Sequence, residues 1–295
     1  MPLSEDLLQA WSAPPGDTKA QAAYTQVKSA LDSSCSLRSR TLDTYLQGSY
    51  RNATHIKEES DVDVIAELTS TFFFDEHYLS TSEKARFHAV YPQSGTYTYS
   101  EFKRDVGSAL RSHFGDLAVT EGTKCFHVAP APSRVAADIL ACLEHRTYIT
   151  FPTYRDEESS YLPGIKFYDP KLGWVINWPK VHYVNGVTKN TSTSQRYKPL
   201  VRVSKNLRDL LFEAGAIAKG SAPSYYLESL IYNAPDRLFA PSLSATASSA
   251  FLYLDSIDIS GLKCVNGLDP MFGGANTWSI DQASRYIDLA VHASR

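Results

Sequence analysis

The chain has 295 residues, 21% of them charged, and a formal net charge of −3 at pH 7. That length exceeds one average domain and allows a sizeable core, while the near-balanced charge gives no global attraction to nucleic acid or to an anionic membrane. Its four cysteines, Cys35, Cys125, Cys142 and Cys264, show no metal-type pairing, so reduced thiols and a cytoplasmic address are expected.

In chain order, Pro14-Pro15-Gly16 closes a loosely attached N-terminal segment, and residues 17 to about 42 read as a helix. Residues 1–15 lack the basic start and continuous apolar stretch of a secretory signal. A strand through Leu46-Gln47 leads to a Gly48-Ser49 turn and then to a strand carrying Asp61 and Asp63. Residues 80–87 begin a charged helix, 92–95 interrupt it, and 99–114 form a second helix ended near Gly115. Strands are expected around 118–128, 135–143 and 146–149. From Val201 onward helical periodicity dominates, with loops at 215–221 and 235–242, a turn-rich stretch at 268–274 and a final helix over 278–293. No run of about 18 apolar residues occurs, so no membrane span is expected.

The chemistry-bearing signal is Gly48-Ser49 followed by Asp61-Val62-Asp63. Side chains alternate along a strand, so Asp61 and Asp63 share a face about 7 Å apart. Two such carboxylates repel unless a cation lies between them. Mg²⁺ takes oxygen ligands, commonly one or two carboxylates plus the phosphates of a substrate. A pair of such ions, roughly 3.5–4 Å apart, serves both the attacking and the leaving oxygen of an in-line displacement. Gly48 lets backbone approach a phosphate, and Ser49 adds a hydroxyl and an N–H. The same stretch also fits a half-exposed strand with Asp61, Asp63 and Glu67 in water and Val62, Val64 and Leu68 in the core. Asp138 is the single charge in the apolar run 135–143. A carboxylate buried there must be protonated, paired with a base such as Arg134 or Arg146, or bound to a metal.

With these residues the chain resembles the cGAS/DncV-like nucleotidyltransferases, the cyclic-oligonucleotide synthases of bacterial anti-phage (CBASS) defence. Residues 164–169, 177–180 and 189–190 resemble that family's connector, and 200–208 and 223–235 resemble two helices of its second lobe. The likeness runs from Tyr24 to the C-terminus. It implies an α/β (α+β) fold with a polymerase-β-like mixed-sheet lobe and a mostly helical second lobe, divided as a catalytic core over 17–165 and a nucleotide-binding lobe over 166–295. It implies that Asp61, Asp63 and Asp138 hold two Mg²⁺ (or Mn²⁺) ions, with Asp138 also activating the acceptor hydroxyl. Gly48, Ser49, Lys205 and Ser224 are implied to hold the triphosphate, and Tyr225 to stack on a base. The implied substrates are NTPs, joined with loss of pyrophosphate into a cyclic di- or trinucleotide that reaches a downstream effector. No activating nucleic acid is expected, since no Cys/His insertion of the DNA-sensor kind is present.

The second-lobe residues also carry ordinary readings. Leu200, Val203, Leu207, Leu210 and Leu211 form one helical stripe with Lys205 on the opposite side, a position that suits a cleft or a solvated face. Residues 221–224 read as a helix start, where Ser224 either caps or meets a phosphate. The eight histidines show no metal-ligand spacing, so no zinc site is expected, and Phe72-Phe73-Phe74 reads as core or interface. Two other functions stay open at this level: transfer to an RNA, protein or small-molecule acceptor, and a catalytically silent nucleotide-binding sensor.

Overall fold

The structure, a computed structural model, describes residues 3–57, 61–93, 95–152, 160–274 and 277–295. Helices α1 (Glu5–Ser12) and α2 (Thr18–Asp32) precede β1 (Leu42–Gln47), which runs directly into the short α3 (Gly48–Asn52). Next come β2 (Val62–Asp75), α4 (Thr81–Val90), α5 (Tyr99–Phe114), β3 (Val119–Glu121) and β4 (Phe126–Val128). The long β5 (Ala137–Tyr148) leads through β6 (Tyr161–Asp169) and β7 (Gly173–Asn177) to the C-terminal helices. These are α6 (Pro179–Ser192), α7 (Tyr197–Glu213), α8 (Ser224–Tyr232), α9 (Leu243–Ser256) and α10 (Ile280–Ser294).

The chain divides into two compact units. One comprises Asp17–Tyr50 and Glu59–Val181, the other Met1–Gly16, Arg51–Glu58 and His182–Arg295. The first is built on a mixed sheet in the order β1-β2-β5-β4-β3, with β6 pairing β5 and β7 pairing β6. β2 and β5 run parallel, and β1 and β4 flank them antiparallel. Val62, Val64, Ala66 and Leu68 alternate along β2 and are almost wholly buried, in one core with Val27 of α2 and Phe102, Val106 and Leu110 of α5. Burial of each Val and Leu among them contributes about 1.5–3 kcal/mol, so this face fixes the register of the strand. Helix α5 has the expected bounds for a visible reason. Thr98 and Glu101 form a reciprocal capping box at its start, and Gly115 (φ 86°) ends it.

Three local expectations change. The helix expected from 17 to about 42 is α2 and stops at Asp32, where Ser33 turns its hydroxyl back onto the Ala30 carbonyl, and β1 begins at Leu42. The two strands expected at 135–143 and 146–149 are one, β5, because Glu144 is paired with Arg146 (2.9 Å) and the ladders to β2 and β6 continue through it. The sequence places the domain boundary at 165/166, whereas the sheet unit extends to Val181 because β6 and β7 form a hairpin that lengthens the sheet.

In the helical unit, Leu200, Val203 and Leu207 of α7 pack with Leu227, Leu230 and Ile231 of α8 and with Phe251 of α9. Leu210 of the expected stripe is exposed instead. The N-terminal segment is not loosely attached: Leu8 is buried, and the Glu5 carboxylate accepts the backbone N–H groups of Leu243 (2.9 Å) and Ser244 (2.7 Å) at the start of α9. Among the described residues, no helix is long and apolar enough to cross a membrane.

Candidate active site

Strand pairing sets the candidate catalytic side chains in one row. Gln47 lies opposite Asp63 across β1 and β2, Asp63 opposite Asp138 across the parallel β2 and β5, and Asp138 opposite His127 across β5 and β4. Residues paired in register project to the same face, here the one turned away from the α2 and α5 core. Asp61, immediately before β2, is exposed at the end of this row. One oxygen each from Asp61 and Asp138 and a ring nitrogen of His127 lie within 4.8 Å of one another. His127 Nδ1 is 2.9 Å from Asp138 Oδ1.

Gly48 is fitted to this row. Its φ is +67°, and a Cβ at that position would sit 2.3 Å from Asp63 Oδ2, so only glycine lets the chain turn against the carboxylate. Asp63 is reached by solvent on one side and crowded by protein on the others. That desolvation, with the charges of Asp138 and then Asp61, pushes its carboxyl up to about 6. The oxygens of Asp61 and Asp138 with the His127 ring nitrogen fit a divalent cation, whose charge would also offset the carboxylate repulsion that adds to desolvation at Asp63.

Asp138 differs from its sequence-based picture. Its side chain is 37% exposed, because β5 enters the sheet only one residue earlier, and its partner is His127. Arg134 donates to the Ala129 carbonyl and lies over the Phe114 ring, and Arg146 pairs with Glu144. Glu67, read as a water-facing residue of β2, is buried. It accepts from Tyr45 Oη (2.8 Å) and Lys180 Nζ (2.9 Å), the latter also reaching Asp43 (2.8 Å). Burial raises the Glu67 carboxyl, and Lys180 and Tyr45 only partly oppose it.

Two residues of the row escaped the sequence reading. His127 stands between the buried Phe126 and Val128, an alternation that puts it on the face opposite the core. Gln47 precedes the Gly-Ser pair, and its amide oxygen is buried without a hydrogen-bond partner among the described residues.

Lys205, Ser224 and Tyr225 belong to the helical unit. Lys205 is not on a free face of α7. It is 2% exposed and donates to Thr54 O (2.9 Å) and Thr54 Oγ1 (3.0 Å), with Glu228 3.9 Å away. The cause is the segment 53–57, which covers that side of α7 and is also held through Arg202 to the Ala53 carbonyl. Desolvation lowers the Lys205 ammonium, with Glu228 opposing. Glu228 itself is buried. Desolvation would raise it, but hydrogen bonds from His182 Nε2 (3.1 Å) and Thr54 Oγ1 (3.1 Å), with the Lys205 charge, hold it below the usual range. Ser224 opens α8 without capping it, and its Oγ accepts from Arg208 Nη1 (2.8 Å). The Tyr225 ring, 41% exposed, stacks on His182 with centroids 5.5 Å apart.

Comparison with known proteins agrees with this fold. Residues 184–294 match the cGAS/DncV-like nucleotidyltransferase C-terminal helical domain. The cyclic UMP-AMP synthase of Rhodothermus marinus is 37% identical over 289 residues, 97% of this chain and 96% of that protein. The cyclic dipyrimidine nucleotide synthase of Legionella pneumophila is 33% identical, covering 96% of this chain and 95% of its own. The structure of the R. marinus synthase with Apcpp and Upnpp aligns at a TM-score of 0.87 and 36% identity, covering 98% of this chain and 95% of the other. That of the Elizabethkingia meningoseptica cyclic dinucleotide synthase with GTP and Apcpp aligns at 0.77 and 28%, covering 98% of each. The chain belongs to the cGAS/DncV-like nucleotidyltransferases. It is an enzyme that makes cyclic oligonucleotides.

Proposed function

We propose that the protein condenses two NTPs into a cyclic dinucleotide, releasing one pyrophosphate in each of two successive transfers at a single carboxylate centre. The observation that supports this most strongly is the in-register pair Asp63 and Asp138, with Asp61 and His127 beside Asp138 and the Gly48 turn against Asp63. Asp61, Asp63 and Asp138 would hold two Mg²⁺ or Mn²⁺ ions, whose charge neutralises the phosphates and favours an ionised nucleophile. A ribose hydroxyl of the acceptor gives its proton to Asp138 and forms the new O–P bond at the donor's α-phosphorus, and the bond to the leaving pyrophosphate breaks. The linear product re-enters and closes by the same step. Such transfers rest mainly on positioning and charge neutralisation.

Gly48 and Ser49 approach the triphosphate through backbone and hydroxyl. Ser224 and Lys205 are assigned to the triphosphate and Tyr225 to a base. Lys205 delivers its charge by exchanging its Thr54 hydrogen bonds for phosphate oxygens, and Tyr225 already presents a half-exposed ring. The R. marinus, L. pneumophila and E. meningoseptica relatives make mixed, dipyrimidine and dipurine products respectively, so ring size carries over and the bases are read from product mass. The product serves as a diffusible second messenger for a downstream effector in anti-phage defence, and the enzyme works without an activating nucleic acid.

Incubation with the four NTPs, Mg²⁺ or Mn²⁺ and a phosphatase, followed by mass spectrometry, tests the reading. A phosphatase-resistant product lacking free ends and of dinucleotide mass is expected without added polynucleotide. Pyrophosphate release with only linear products, or turnover that appears only with an RNA or protein acceptor, would overturn it.

A further inference from the structure

We propose that His127 is a metal ligand, and that its ring nitrogen makes one position of the centre favour Mn²⁺ over Mg²⁺. This rests on the carboxylate centre described above and adds a fourth, chemically different donor to it. The geometry is specific. His127 stands directly opposite Asp138 in the β4–β5 pairing, and its Nδ1 lies 2.9 Å from Asp138 Oδ1. One of its ring nitrogens and one oxygen each from Asp61 and Asp138 lie within 4.8 Å of one another, a spacing that a single ion can bridge. The side chain is 42% exposed, so neither burial nor core packing explains its place on this face.

The chemistry follows from the donor types. With no ion bound, a neutral ring donates Nδ1–H to the Asp138 carboxylate; for one ion to bridge His127, Asp61 and Asp138, the ring carries its proton on Nε2 and turns the Nδ1 lone pair to the ion. Mg²⁺ prefers an all-oxygen octahedron, whereas first-row transition ions accept imidazole readily. Carboxylate oxygens alone suit both Mg²⁺ and Mn²⁺. The added nitrogen biases one position towards the softer ion.

The test is a binding experiment on the intact protein without nucleotide. Mn²⁺ affinity is measured by the electron paramagnetic resonance of free ion, Mg²⁺ by competition, and coordination by electron spin echo modulation from ¹⁴N. Wild type should show ¹⁴N coupling to bound Mn²⁺. In His127→Ala that coupling should vanish, with Mn²⁺ affinity falling at least about 10-fold, the least that loss of even an outer-shell partner costs, and Mg²⁺ affinity nearly unchanged. His127→Gln, which retains a hydrogen-bond donor for Asp138 without a ring nitrogen, should behave as His127→Ala does. Bound Mn²⁺ without ¹⁴N coupling in wild type, or coupling that survives in either variant, would overturn the proposal. Asp61→Asn separates the two levels. If it abolishes Mn²⁺ binding while wild type lacks ¹⁴N coupling, the carboxylate centre stands and the histidine ligand fails. If it leaves Mn²⁺ binding untouched, the centre itself fails, and the histidine proposal with it.

Discussion

Gly48 is the residue whose replacement should be least tolerated. A methyl group there would meet Asp63 Oδ2 at 2.3 Å with the backbone at φ +67°, so Gly48→Ala must displace either the turn or the carboxylate. Product formation should fall at least 100-fold and divalent-ion affinity should fall with it, while the thermal midpoint drops by only a few degrees. Equal ion affinity in wild type and variant would show that Asp63 is not a ligand. Lys205→Ala makes a different prediction. It removes a buried ammonium from Thr54 and Glu228, so it should cost about 2–3 kcal/mol in chemical denaturation and raise the KM for NTP. A variant as stable as wild type would contradict the buried network. At this scale the carboxylates were legible because Asp-x-Asp and an isolated charge in an apolar run are local patterns. His127 was not, because only the β4–β5 register brings it opposite Asp138. The burial of Lys205 was equally hidden, since it depends on a segment about 150 residues away in the chain.

Among the elements, α1 supplies a pH-dependent contact. Its Glu5 carboxyl is held down at about 2, first by the Ser244 hydroxyl and then, against some desolvation, by the backbone N–H groups of Ser244 and Leu243 at the start of α9. A carboxyl depressed below its unfolded value contributes stability that is present above about 4.5 and is lost as pH falls toward 2. Glu5→Gln should therefore lower stability by about 1 kcal/mol at pH 7, with the gap to wild type closing below pH 4.5. A gap that stays constant between pH 7 and pH 3 would contradict the contact. The Lys180 bridge ties the start of α6 to β1 and β2. Lys180→Met leaves Glu67, 1% exposed, without its counter-charge and should cost about 3 kcal/mol in urea unfolding, part of it recovered by adding Glu67→Gln. Helix α5 was legible to the residue because its capping box and terminal glycine are written in sequence. Strands β6 and β7 were not, because Pro163-Gly164 and the buried charge Asp169 break the pattern of β6, and the strand character of both comes from pairing with β5 and with each other.

For the whole molecule, the family was readable from the Gly-Ser and Asp-x-Asp spacing together with the helices near Lys205 and Ser224, and relatives matching nearly the full length bear it out. The division of the chain was less readable. The helical unit takes its N-terminal segment from residues before the sheet and a further strip from 51–58, and no local pattern announces an excursion of that kind. In the proposed mechanism Asp61, Asp63 and Asp138 act as one metal-holding centre for nucleotide joining. The measurement that tests it most directly compares wild type and Asp61→Asn for cyclic product and for thermal shift on adding Mg²⁺ or Mn²⁺. The expected result is an Asp61→Asn protein that melts like metal-free wild type, gains no stability from either ion, and yields no cyclic product. A folded Asp61→Asn protein that turns over NTPs at the wild-type rate would contradict it.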